Sequence, residues 1–333
     1  MAPRPLGGGS APGGSSAAGG AGGAEPPRRP RAAAEKRRAA AKARASKAGG
    51  KPRDQVRAAR VEAARAALRP GPGEELIEGR RPVLEALRSG RPVHRVLLAT
   101  GAEERGTLAD LLALARQRGV RVETVPRSLL DAAASSGANQ GVVALIAELR
   151  PIGLDELLAL PLAGPEPPFF LALDGVEDPR NLGALARSAG AAGCHGVVVP
   201  RHRAAPLSAV AVKASAGALL HVPVAEVVNL ARALERLRQA GVWCVGLDAG
   251  AEASLFGIDL ADEPVCVVVG GEGAGLRRLV REACDVLVRI PMAGQIGSLN
   301  AAVAGALALF EVRRRRGAAA VPAAQAPAGG SPR

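Results

Sequence analysis

The sequence predicts an α/β fold: a mostly parallel sheet in the C-terminal half, a smaller α/β unit before it, and a basic low-complexity segment ahead of both. Three observations carry that expectation. Apolar runs of strand length alternate with helix-length patterns from residue 74 to residue 316. Hydrophobic residues make up 48% of the 333-residue chain and aromatics only 2%, so the core has to be built from Ala, Leu and Val. The charge is segregated: residues 1–70 hold 16 Lys and Arg against 4 Asp and Glu, whereas the remainder holds 28 against 27.

Residues 1–73 read as a disordered basic tail, rich first in Gly, Ala, Ser and Pro and then in Ala interspersed with Arg and Lys. Such a segment favours polyphosphate partners through counterion release, although a solvated tail without a dedicated role has the same composition. Arg69-Pro70-Gly71-Pro72-Gly73 breaks the pattern and marks a boundary. Residues 74–149 form the smaller unit, with helices predicted at 81–87, 107–118 and 128–134 and strands at 93–99, 120–125 and 141–147. A proline-rich linker with one short helical turn is expected over 150–167.

In the second unit, 168–316, strands are predicted at 169–173, 196–199, 242–247, 265–269 and 286–290. Helices fill the gaps at 179–192, 209–218, 230–240, 277–283 and 299–315. Alternation at this spacing implies a mostly parallel sheet covered on both faces. Residues 317–333, rich in Ala, Pro and Gly, read as a second disordered tail. No run of about 18 uncharged apolar residues suggests a membrane span. Cys194, Cys244, Cys266 and Cys284 are widely spaced, with no C-x-x-C and no nearby His pair. Neither a metal site nor a disulfide framework is expected, and a reducing cytoplasm fits.

The chemistry-bearing residues lie in three loops. The first, Leu173-Asp174-Gly175-Val176-Glu177-Asp178-Pro179-Arg180-Asn181-Leu182-Gly183, follows a strand and opens a helix. Asp178 suits an N-cap and Pro179 the first helical position. Asn181 and Arg187 then lie on a helix starting at the carboxyl edge of the sheet, where α/β proteins bind ligands. The second loop, Gly270-Gly271-Glu272-Gly273-Ala274-Gly275-Leu276, has glycines that let backbone approach a ligand, or that simply permit a tight strand–helix turn. Its spacing is not that of a dinucleotide fingerprint, and Glu272 would repel a pyrophosphate. The third, Ile290-Pro291-Met292-Ala293-Gly294-Gln295-Ile296-Gly297-Ser298-Leu299-Asn300, precedes the last helix. Ser298 is its expected N-cap, with Asn300 in the first turn.

Together, in this order, the loops resemble the three signature motifs of the SpoU (TrmH) branch of the SPOUT methyltransferases. The stretches are D-G-V-x-D-P-x-N-L-G-x-x-x-R-S-A, G-x-E-G-x-G-L-R-R and I-P-M-x-G-x-x-x-S-L-N, and the resemblance spans 171–313. Residues 74–147 are similar to the small substrate-recognition domain, akin to ribosomal protein L30e, of rRNA-specific members. The nearest likeness is to RlmB-type enzymes, which methylate a guanosine ribose in 23S rRNA. One departure is Asn139-Gln140-Gly141, where that group has His-Gln-Gly.

The resemblance implies a C-terminal sheet closed by a trefoil knot, against the general rule that chains avoid threading, and a homodimer. It implies S-adenosylmethionine held by Gly270, Ile290 and Leu299 with Met292 and Gly271 alongside, and methyl transfer to a ribose 2′-hydroxyl of RNA. Arg187 would activate that hydroxyl or stabilise the alkoxide as it forms, with Asn181, Glu272, Ser298 and Asn300 orienting ribose and arginine. A tRNA or another rRNA nucleotide is the alternative substrate. A nucleotide- or NAD-binding oxidoreductase and a non-catalytic RNA-binding protein are the rival classes. None of the four histidines falls in a motif, and His195 is expected to be structural. Deleting residues 1–72 is expected to weaken RNA affinity and flatten its salt dependence while the remainder folds. An unchanged salt slope would return the segment to the role of a passive tail.

Overall fold

The computed structural model describes residues 62, 66, 68–134, 139–163, 166–258, 263–295 and 297–317. The expectations for 1–61 and for 318–333 lie outside these residues. By its contacts the chain divides into residues 1–58 and 59–333, and both sheets belong to the second unit.

The first sheet holds β1 (Glu74–Glu78), β2 (Val93–Ala99), β3 (Arg121–Val125) and β4 (Val142–Ala147) in the order β1-β4-β2-β3. Its helices are α1 (Arg80–Arg88), α2 (Thr107–Gln117) and α3 (Arg127–Ala133). β2 and β3 pair in parallel, and β4 runs antiparallel to both its neighbours. One face buries Ile77, Val96, Ala144 and Ile146 against α1 and α2. The other buries Leu76, Leu97, Val143 and Leu145 with Leu130 of α3. Leu68, 5% exposed, joins this second face, so a tail deletion ending at residue 58 spares a core contact that one ending at residue 72 removes.

Helix α4 (Leu154–Ala159) bridges to the larger sheet. Its strands are β5 (Phe169–Asp174), β6 (Gly196–Pro200), β7 (Val224–Val227), β8 (Trp243–Leu247), β9 (Ala253–Ser254), β10 (Val265–Gly270) and β11 (Val286–Arg289). All are parallel, in the order β7-β6-β5-β10-β8-β11-β9. The remaining helices are α5 (Pro179–Ala192), α6 (Ala209–Ala214), α7 (Leu230–Gln239), α8 (Arg278–Ala283) and α9 (Ala301–Arg315). Side chains alternate across a strand. Phe169, Leu171 and Leu173 therefore face the layer containing α5 and α9, while Phe170 and Ala172 face the layer of α7 and α8. Apolar on both faces, these strands read as unbroken hydrophobic runs, as buried parallel strands do.

Helix α5 begins and ends where its sequence says. The Asp178 carboxylate accepts from the Arg180 N–H at 2.8 Å, Pro179 occupies the first turn, and Gly193 closes the helix at φ 80°. The last helix corrects an expectation. Its N-cap is Asn300, not Ser298, and α9 starts at Ala301; the Asn300 Oδ1 accepts from the Ala302 N–H at 2.9 Å and the Val303 N–H at 3.3 Å. Both residues have capping side chains, and position along the chain alone does not choose between them. His195 is structural: its Nδ1 accepts from the Phe169 N–H at 3.1 Å, and burial, the largest influence, lowers its pKa.

Gly183, in the first loop's motif, is required by packing. A Cβ there would lie 2.6 Å from the Ala211 carbonyl oxygen and 2.6 Å from the Ala214 Cβ, which would push α5 off α6. The opposing atoms are backbone or held rigidly by it, so Gly183→Ala is expected to destabilise the fold by about 1–3 kcal/mol in urea denaturation.

Candidate active site

The three loops converge at the carboxyl edge of the large sheet, where β5, β10, β8 and β11 end side by side. In the β5–β10 pairing Asp174 lies in register with Gly270. The Asp174 side chain has no exposed surface. Its Oδ2 accepts from the Arg277 N–H at 2.7 Å and its Oδ1 from Arg277 Nε at 2.6 Å. A charge-assisted pair of this kind offsets the cost of burying a carboxylate. It also fastens the far end of the second loop to the start of the first.

Between those fixed points the glycines are needed for closeness. A Cβ on Gly270 would sit 2.2 Å from the Gly275 carbonyl carbon, and one on Gly271 would sit 2.3 Å from the Gly175 carbonyl oxygen. The tight-turn reading of this loop is thus satisfied, and the same bare backbone lines a cleft. That cleft has a volume of about 860 Å³ and is walled by residues 269–276, 288–290, 297–301 and the end of β8. Gly270, Gly271, Ile290, Met292 and Leu299, the expected cofactor contacts, all line it, as do Glu272, Ser298 and Asn300. The volume falls within the range of about 300–1,000 Å³ usual for small-molecule sites.

Asn181, Glu272 and Asn300 form a closed hydrogen-bond triangle. Asn181 Nδ2 donates to Glu272 Oε1 at 3.1 Å, and Asn300 Nδ2 donates to Asn181 Oδ1 at 3.2 Å and to Glu272 Oε1. One side chain from each loop is used. The carboxylate is held as an acceptor, and its Oε2 has no hydrogen-bond partner among the described residues. A negative group in a glycine-lined cleft fits a ligand carrying positive charge or hydroxyls better than one carrying phosphate.

Arg187 is not brought to this cleft. It lies six residues beyond Asn181 on α5, about 9 Å along the axis and roughly a third of a turn away. It is exposed and lines a separate groove with Arg81, Glu85, Ser215 and His221. No residue lines both. Reading the sequence alone missed two pairs. Asp174–Arg277 lay within the motifs without a role assigned, because nothing local links residues 103 apart. Asp248 and Arg281, 3.0 Å apart, stand together in the cleft wall, where Asp248 follows β8 directly. Among the described residues no group of three or more His, Cys, Asp or Glu side chains could hold a metal ion.

This arrangement has known counterparts. Residues 168–310 match the SpoU rRNA Methylase family, and residues 76–152 match the domain described as RNA 2′-O ribose methyltransferase substrate binding. A Bacillus subtilis protein, YacO, named as a TrmH family tRNA/rRNA methyltransferase, is 42% identical over 242 residues, 73% of this chain and 96% of that one. The chain belongs to the SpoU methylase family. It is also 45% identical, over 73% of its length and 77% of the other's, to a Mycolicibacterium vanbaalenii protein named as an uncharacterized tRNA/rRNA methyltransferase. Among solved structures it resembles the SpoU methyltransferase AviRb of Streptomyces viridochromogenes in complex with AdoMet, with a TM-score of 0.62, 32% identity and coverage of 78% of this chain and 98% of that one. An RNA 2′-O ribose methyltransferase structure matches with a TM-score of 0.63 and 28% identity, over 77% and 96% of the two chains. Membership makes the chain an RNA methyltransferase that uses S-adenosylmethionine, and the open glycine backbone, the carboxylate and the cleft volume fit that cofactor.

Removing Arg277 leaves Asp174 buried and largely unpaired, whereas removing Asp174 leaves an arginine with 41% of its side chain exposed. Arg277→Ala is therefore expected to cost about 3 kcal/mol in urea denaturation. Asp174→Ala should cost less, and equal losses would show that the buried carboxylate is not the element under constraint.

Proposed function

We propose that this protein transfers the methyl group of S-adenosylmethionine to a ribose 2′-hydroxyl of RNA, and that its substrate is a guanosine of 23S rRNA. The observation that carries the reading is the Asn181–Glu272–Asn300 triangle at the rim of a glycine-lined cleft. When bound, the cofactor supplies an electrophilic methyl group on a positively charged sulfur. Backbone of Gly270, Ile290 and Leu299 would hold its adenine and ribose, with Met292 and Gly271 alongside. Glu272 places negative charge beside the cleft, and Ser298, Asn181 and Asn300 orient the acceptor ribose.

A ribose hydroxyl is a poor nucleophile and needs a base or electrostatic help. Arg187 supplies the latter: guanidinium is ordinarily protonated, so it stabilises the alkoxide as it forms and grips an adjacent phosphate. The rRNA assignment rests on the N-terminal unit, which matches a substrate-binding domain over 76–152; a tRNA substrate is the alternative. In this reading residues 74–149 form the L30e-like substrate-binding domain, 150–167 the linker and 168–316 the catalytic domain.

A homodimer and the knotted threading belong to the same proposal. Val303, Leu307 and Phe310 form an exposed apolar stripe along α9, at 49%, 41% and 49% exposure, which a second copy would cover. Because Arg187 and the cofactor cleft share no lining residue within one chain, a second copy also offers a way to bring them together. The knot is supported by β10 lying between β5 and β8 and by α9 returning to pack on α5 and β10. The cytoplasmic setting expected from the sequence belongs to the same proposal.

Arg187→Ala is expected to abolish methyl transfer to RNA while leaving the affinity for S-adenosylmethionine, read by calorimetry, close to that of the parent. Near-normal turnover by this variant would remove Arg187 from the mechanism. A melting temperature raised by NAD and not by S-adenosylmethionine would favour the oxidoreductase reading.

A further inference from the structure

The groove that takes Arg187 continues into the smaller unit. Its first lobe, about 700 Å³, runs between α1 and the segment from α5 to His221. A second lobe of about 630 Å³ is lined by Arg80, Arg81, Arg127, Gln140 and Lys213. Arg81, Thr107 and Ala216 line both, so the lobes adjoin along one channel-like face with Arg81 at the junction.

Its two walls are fixed to each other. Lys213 Nζ lies 3.8 Å from the buried Glu78 carboxylate, His221 Nε2 lies 2.9 Å from Glu85 Oε2, and Arg91 Nε donates to the Leu220 carbonyl at 3.0 Å. Gly217, at φ 93°, lets the second wall press against Glu85: a Cβ there would lie 2.6 Å from the Glu85 Cβ. The channel is thus a preformed feature of the described structure. At the 139–141 turn, Asn139 is consumed internally: its Nδ2 donates to Asp131 at 2.9 Å and its Oδ1 accepts from the Gly141 N–H at 2.8 Å. Gln140, at φ 53°, presents its Oε1 to the Arg80 N–H at 3.2 Å and so pins the first turn of α1 beside the channel.

The charge in the channel is lopsided. Across both lobes six cationic side chains, Arg80, Arg81, Arg88, Arg127, Arg187 and Lys213, stand against three carboxylates, of which Glu78 is met by Lys213 and Glu85 by Arg88, leaving Asp110. Arg81 and Arg187 are exposed and have no ion-pair or hydrogen-bond partner among the described residues. Arg127, 61% exposed, has only a loose 3.7 Å contact with Asp131, whose same oxygen is also taken by Asn139. Unneutralised guanidinium groups spread along adjoining lobes suit a polymer of phosphodiesters rather than a small anion.

Resting on the activity proposed above, we infer that a single RNA strand lies in this channel, with successive phosphates on Arg127, Arg81 and Arg187. The strand's path past the 139–141 turn, rather than the cofactor cleft, then sets which nucleotide reaches Arg187. Asn139 acts as a scaffold for that turn and makes no RNA contact of its own.

The test uses the full chain, a fluorescein-labelled single-stranded RNA oligonucleotide of mixed sequence, and binding measured over a range of salt concentrations. Arg81→Ala and Arg127→Ala are each expected to weaken binding and to lower the slope of log affinity against log salt by about 0.7. The weakening should be uniform across oligonucleotide sequences. Arg232→Ala, at an exposed position on α7, should leave slope and affinity as in the parent, and all three variants should bind S-adenosylmethionine as the parent does. Unchanged slopes in both channel variants, or an equal fall in Arg232→Ala, would overturn the assignment. Methyl transfer is scored separately: its absence in the parent would count against the activity, while the binding slopes judge the channel by themselves.

Discussion

The carboxylate of Asp174 sets the geometry on which the rest of the site depends. It is fully buried at the end of a central strand and is met by both the backbone and the guanidinium of Arg277. A buried charge is costly unless its partners are in place. The chain after β10 therefore has to return across β5 at the end of its turn. That return compresses the intervening residues until Gly270 meets Gly275 and Gly271 meets Gly175 at distances no side chain tolerates. The glycine pattern follows from the ion pair as much as from any ligand. Glu272, at the crest of the turn, is placed by the same constraint.

Asn300 couples the site to the last element of the fold. Its Oδ1 caps α9, while its Nδ2 donates to both Asn181 and Glu272. A cap contributes about 1 kcal/mol of helix stability, and here the capped conformation is also the one that closes the triangle. Docking α9 on α5 and assembling the site are then one event. Gly305 reinforces the link, because a Cβ there would lie 2.4 Å from Leu185 on α5. Aspartate could cap the helix but could not donate to Glu272; serine could cap it but is too short to reach both partners. The residue type is fixed by the double duty.

What the sequence disclosed followed from local physics. Helix α5 and strand β2 have the expected bounds because an Asp-Pro start, a Gly end and an apolar run are local signals. Strand β1 went unseen, since Glu74, Glu75 and Glu78 conceal it and its partner β4 lies far along the chain. Strand β7 has four residues directly after Pro223 and gave no pattern to count. In the third loop, Ser298 and Asn300 are both capping types, and only the Glu272 partner, brought in by the fold, selects Asn300. The motifs placed Asn181, Glu272 and Asn300 in one site, which the triangle supports. They also grouped Arg187 with them, although six residues along a helix turns a side chain to another face.

That separation has a physical consequence. Methyl transfer calls for a site from which water is excluded, so that charge stabilisation acts at low dielectric. The described residues of one chain do not provide it: Met292 and Leu299 in the cleft wall are 39% and 37% exposed, and the apolar stripe of α9 continues outward from Leu299 through Val303. The surface that must be covered to dry the cleft is thus contiguous with the surface best suited to meet another copy. Covering it would seal the cofactor side, and an RNA strand delivering its ribose would seal the other. The precise part of the chemistry then sits on strand ends locked by Asp174. On the proposed path, the choice of nucleotide would fall to the arginine-lined channel, where side chains can change without disturbing the triangle.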